Sequence, residues 1–189
     1  MAVRASEALV EQVRPEDLHR PTPCASWDLA ALLAHMTAQH RGFAAAAAGG
    51  GASMEAWRAH PLGGDPAADY AHASALLIAS FAAEDVLTKV FALPEFGAGV
   101  AVPGRQAISF HFIDYVVHGW DVARSLGVHF ELPADLLRKA VPVAEAVPDG
   151  NRRLVPGAAF APQRPALDDG DPLERILALL GRSPSWPEG

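Results

Sequence analysis

HFIDYVVHGWDVAR, residues 111–124, decides how the chain is read. Its apolar residues suit the interior of a small domain, yet two histidines, two aspartates and an arginine interrupt them. At about 100° per residue, Asp114 and His118 fall one turn apart on the same side of a helix. One carboxylate oxygen and one imidazole nitrogen can then reach a common metal ion, the geometry that makes the two histidines of HExxH effective. His111 shares that face about 10 Å along the axis from His118, better placed beside a metal and facing substrate than as a ligand. There it is a candidate general acid or base. Asp121, three residues past His118, can orient that imidazole through its other nitrogen. Asp121 and Arg124 are spaced for an ion pair, and Trp120 faces away as packing.

A catalytic zinc usually has three protein ligands and an open position. The third is expected from another helix, and His35 in LLAHMTAQH is the candidate. Gln39, at i+4 from His35, shares its face and can hydrogen-bond a ligand or substrate. His40 points elsewhere. His19, His60, His72 and His129 lie in unremarkable contexts. Cys24 lies just before a helix, where thiolates are stabilised; a small buried residue in a turn is the plainer reading.

The 189 residues suffice for one domain with a sizeable core, or one domain plus a short appendage. Half are apolar and 20% charged, a globular composition. A net charge of -7 does not favour nucleic acid or an anionic membrane. One cysteine excludes an internal disulfide, and neither a leader-like segment nor a long apolar run is visible, so the chain reads as cytoplasmic. P-loop, dinucleotide and nucleophile-elbow signatures are absent from the sequence.

The spacing predicts a short helix near 5–14, then a break at PTPCAS. The long second helix has Ser26 as N-cap, Asp28 in its first turn, and a stripe of Leu29, Leu32, Leu33, Met36 and Phe43. A third helix is expected over 67–83, a loop or loose hairpin over 86–103, and a fourth helix from 104 to 126 capped by Gly127. A fifth spans about 133–147, disturbed at Pro142. A last compact helix starts with Asp171 as N-cap and Pro172 at N1, with Gly181 after its final turn. The expected architecture is all-α: a four-helix bundle over 1–147 with a C-terminal extension over 148–189 packed on it.

TPCASWDLAALLAH at 22–35, the D-x3-HGWDVARSLG helix at 114–127 and DPLERILALLGRSPSW at 171–186 together carry a resemblance. In that order, over nearly the whole chain, they resemble small actinobacterial metal-binding proteins. These are related to the N-terminal domain of mycothiol-dependent maleylpyruvate isomerase, in the DinB-like superfamily. The resemblance implies a DinB-like four-helix bundle with a central divalent metal. The family triad of a histidine and a Glu-x3-His pair maps to His35, Asp114 and His118, with Asp replacing Glu. Zinc leads, and nickel or iron also suits these donors. Known relatives use mycothiol, bacillithiol or glutathione, so the expected partners are a low-molecular-weight thiol and a small electrophile. Arg105 and Arg41 are candidates for binding acidic parts of either. The isomerase has a substantial second domain where this chain has a tail, which points away from the maleylpyruvate reaction itself. The leading expectation is a metal-dependent thiol transferase or isomerase. The alternatives are a hydrolase using activated water, a non-catalytic metal-binding module that dimerises through a helix face, and a bare helical scaffold.

Overall fold

The computed structural model describes residues 1–24, 27–155, 158–165 and 170–188. The chain is mostly helical. Its helices are α1 (Ala2–Val10), α2 (Leu29–Ala47), α3 (Pro66–Phe81), α4 (Gly104–Leu126), α5 (Ala134–Glu145) and α6 (Pro172–Leu179). A two-stranded antiparallel sheet, β1 (Val90–Ala92) and β2 (Ala101–Pro103), pairs Phe91 with Val102 in the 86–103 segment. It is a small departure from the all-α expectation. The hairpin leads straight into α4, whose first residue Gly104 donates its N–H to the Lys89 carbonyl at 2.7 Å.

Local chemistry explains the helix limits. Asp28, not Ser26, caps α2, and its carboxylate accepts the Ala31 N–H at 2.8 Å; Ser26 lies outside the described residues. Asp65 and Asp171 cap α3 and α6 in the same way, each followed by a proline. Gly127 ends α4 in the left-handed region at φ 72°.

Helix α2 packs against α3 and α4, and α1 packs against the same two helices. Leu29, Leu32, Leu33 and Met36 are fully buried, each worth about 1.5–3 kcal/mol of apolar burial. They join Val116, Val117 and Val122 of α4 in the larger apolar cluster. A second cluster around Phe43, Trp57, Leu77 and Phe91 lies under the hairpin. Helix α5 packs on α4, and α6 packs on α5, so Ile176, Leu177 and Leu180 enter the larger cluster.

One arginine secures the segment beyond α5. Buried Arg153 donates to the carbonyls of Val147 (3.0 Å), Pro148 (2.9 Å), Ala161 (3.1 Å) and Leu179 (2.7 Å). Replacing it leaves those acceptors without their donor. Arg153→Ala is expected to lower the unfolding free energy by about 2–4 kcal/mol in urea titrations.

Candidate metal centre

The TPCASW turn sets the approach to α2. The Thr22 hydroxyl donates to the Trp27 carbonyl at 2.8 Å and accepts the Cys24 N–H at 3.1 Å. This holds the Trp27 ring against His35, with centroids 4.5 Å apart. Cys24 is half-buried, and burial pushes its thiol up despite the opposing charge of Arg182.

His35 of α2 meets Asp114 and His118 of α4. One donor atom from each lies within 4.8 Å of the others. His118 Nε2 is 3.3 Å from Asp114 Oδ1. Its Nδ1 is 2.9 Å from Asp121 Oδ2, so the second carboxylate holds the ring from behind. Arg182, just beyond α6, forks onto Asp121, with Nε 3.0 Å from Oδ1 and Nη2 2.9 Å from Oδ2. Arg124 does not pair with Asp121 as its spacing suggested. It lies over the Trp120 ring at 5.8 Å and donates to the Trp186 carbonyl.

The charges follow from these contacts. Burial alone would discharge His118, but Asp114 and Asp121 outweigh it and raise the imidazole to about 9. Burial opposes ionisation of Asp114, yet the His118 charge and hydrogen bond, helped by His35 and His111, bring it down to about 2. His35 is driven down to about 4 by burial and is neutral at pH 7.

The other expected residues lie apart from this cluster. His111 sits in the core at 2% exposure, stacked on Tyr115 with centroids 4.1 Å apart. Its Nε2 is 3.2 Å from Nδ1 of His40, which lies outside the three-residue cluster and is wholly buried. Burial lowers His111 to about 3 and His40 to about 2. Arg41 is 3.5 Å from Asp69 of α3, and Arg105 is exposed at the first turn of α4, about 13 Å along the axis from Asp114. Gln39 donates to Glu95 at 2.7 Å. The Glu95 carboxyl is raised by burial, and the Asp114 charge adds to the shift.

Two participants escaped the sequence reading. Arg182 is remote in sequence, and Glu95 sits in the short 3-10 turn Pro94–Phe96 between the strands. Only the resemblance of GRSPSW hinted at either of them.

A cavity of about 580 Å³ opens beside His35 and Trp27, over Ala30, Ala31 and Ala34 of α2. Among the described residues, no helix is long and apolar enough to cross a membrane.

With this geometry in view, comparison with known proteins is informative. Residues 1–123 match the family described as mycothiol maleylpyruvate isomerase N-terminal domain. The chain belongs to that family. The matched span includes His35, Asp114, His118 and Asp121 but stops short of Arg182. Two relatives are the uncharacterised Mycobacterium tuberculosis proteins Rv0738 (strain ATCC 25618 / H37Rv) and MT0763 (strain CDC 1551 / Oshkosh). Each is 30% identical over 184 residues, covering 95% of this chain and 92% of the relative. No solved structure matches the chain.

The buried neutral histidines make acid the weak flank of this family member. Below pH 6.5 the unfolded chain protonates His35, His40 and His111 while the folded one does not. Their contribution to stability is therefore full above pH 6.5 and is lost as pH falls towards their lowered values, at up to about 4 kcal/mol per pH unit for three protons; the raised His118 acts the other way, its share full below pH 6.5 and lost as pH rises towards about 9. Chelator-treated protein, followed by circular dichroism in urea at stepped pH, is expected to lose most of its stability between pH 6.5 and about 4.5.

Proposed function

We propose that the chain is a divalent-metal-dependent, cytoplasmic transferase or isomerase that joins a low-molecular-weight thiol such as mycothiol to a small electrophile. In this reading α1–α4 form a DinB-like four-helix bundle, residues 148–189 are an extension on it, and His35, Asp114 and His118 hold the metal. The observation that carries it is the 3.3 Å separation of His118 Nε2 from Asp114 Oδ1, with His35 in the same cluster. Tetrahedral zinc, with bonds of about 2.0–2.2 Å, sets its ligand atoms about 3.4 Å apart. Two imidazoles and one carboxylate suit zinc best and also accept nickel or iron. Family membership supports the thiol.

When bound, the metal supplies a Lewis-acidic open position at which a thiol loses its proton near neutral pH. The protein supplies the rest. Asp121 fixes the His118 tautomer, so Nε2 faces the cluster, and Arg182 fixes Asp121. Glu95, tethered by Gln39, is the carboxyl that accepts or returns the proton. The thiolate adds to an activated double bond: a sulfur–carbon bond forms, the π bond opens, and a proton is delivered to the neighbouring carbon. His111 keeps a packing role, and Arg41 and Arg105 are not needed to bind the thiol.

Equilibrium dialysis is expected to find one zinc per chain, and His118→Ala is expected to lose it together with thiol-dependent turnover. Asp121→Asn is expected to weaken metal affinity by about 10–100-fold. Turnover unchanged in His118→Ala would sink the reading, and equal turnover without thiol would favour metal-activated water instead. Because His118 is protonated below about 9 while His35 and Asp114 carry no exchangeable proton at pH 7, binding releases about one proton. Affinity is expected to rise about tenfold per pH unit between pH 6.5 and 8.5, as read by competition with a chelator.

A further inference from the structure

The alanine row of α2 runs into the candidate metal centre. Ala30, Ala31 and Ala34 share one face of the helix with His35. They line the cavity of about 580 Å³, within the range of small-molecule sites. Leu18 and Leu62 face it from two loops. Trp27, stacked on His35, adds an aromatic surface at the same end. Three side chains no longer than a methyl make a flat floor, which suits a planar group.

Among the described residues, the lining contains no arginine, lysine, aspartate or glutamate. A carboxylate entering it would give up water without meeting a counter-charge from these side chains. The ionisable groups among them are three histidines. Burial keeps His35 neutral, His60 Nε2 lies 3.9 Å from Glu55 Oε1, and His19 is exposed. Position matters as much as chemistry. Ala31 is one turn before His35 and Gln39 one turn after it, so the groove and the Gln39–Glu95 pair flank His35 along the helix.

We propose that this groove binds the electrophile, and that it selects an uncharged, flat, apolar molecule such as an aryl enone over a dicarboxylate. The proposal rests on the metal-centre reading for the reaction, but not for the binding. It separates this chain from the anionic substrate in its family's name.

The test uses the intact protein at about pH 8, zinc-loaded and chelator-stripped. Calorimetric titrations employ two unreactive probes of equal length, 4-phenylbutan-2-one and 3-phenylpropanoate. In the chelator-stripped protein, where no metal offers the carboxylate a counter-charge, the ketone is expected to bind at least about tenfold more tightly than the carboxylate. Ala31→Trp, which fills the floor, is expected to weaken ketone binding at least about tenfold with helicity and metal stoichiometry unchanged. Ala59→Arg, a cation added at an exposed lining position, is expected to raise carboxylate affinity and shrink the preference. His118→Ala, which removes the proposed ligand, is expected to keep ketone binding. Equal affinity for both probes, binding of neither, or ketone binding indifferent to both Ala31→Trp and Ala59→Arg would overturn the proposal. Ketone selectivity in a protein that takes up no zinc would support the groove while rejecting the metal centre.

Discussion

A carboxylate with no solvent exposure governs this molecule. Asp121 lies fully inside, where an unpaired charge would cost several kcal/mol, so its partners must be present and well aimed. Arg182 grips both oxygens and His118 takes one of them. The imidazole is thereby turned with Nε2 towards Asp114 and His35. The same bond gives α6 and the turn after it a fixed seat against α4. Gly181 makes that seat attainable. It adopts φ 79°, and a Cβ there would meet Ala161 at 2.6 Å, so a larger residue would displace its neighbour Arg182.

The clusters on either side of α2 meet at a polar seam. His111 and His40 touch, and both stack on Tyr115. Tyr115 donates to the Met36 carbonyl, while Tyr70 packs against His40 and donates to Ser6 at 2.7 Å. Phe43 and Phe81 close the seam from the hairpin side. Buried polar groups tolerate few arrangements, because each lost partner costs about 1–3 kcal/mol. The seam therefore fixes the register of α2 on α4, and with it the approach of His35 to Asp114.

Much of this was legible from local pattern. The helix from Gly104 to Leu126 follows from apolar spacing, the Asp171 cap from its place before Pro172, and the Gly127 cap from the need for positive φ. Asp114 and His118 could be paired because helical geometry is rigid over one turn. His35 was reachable by its leucine-rich surroundings and by family likeness. What stayed hidden depends on contacts between distant segments. Arg182 looks like any arginine after a helix, and Glu95 like any loop carboxyl, until the chain folds. His40 points away from the three-residue cluster as its helix angle implied, but its place in the polar seam depends on contacts with α3 and α4 that the angle does not show. Asp121 was correctly placed behind His118, but its cation comes from a different helix terminus than the nearby Arg124.

Sixty-one positions separate Asp121 from Arg182. Closing so long a loop carries an entropic cost that local helix contacts do not face. The contacts between α2 and α4 span longer separations still, 71 positions from His40 to His111 and 79 from Met36 to Tyr115. None of the donor groups is therefore set by local structure alone, and a metal held as proposed would be held tightly only by the finished tertiary fold.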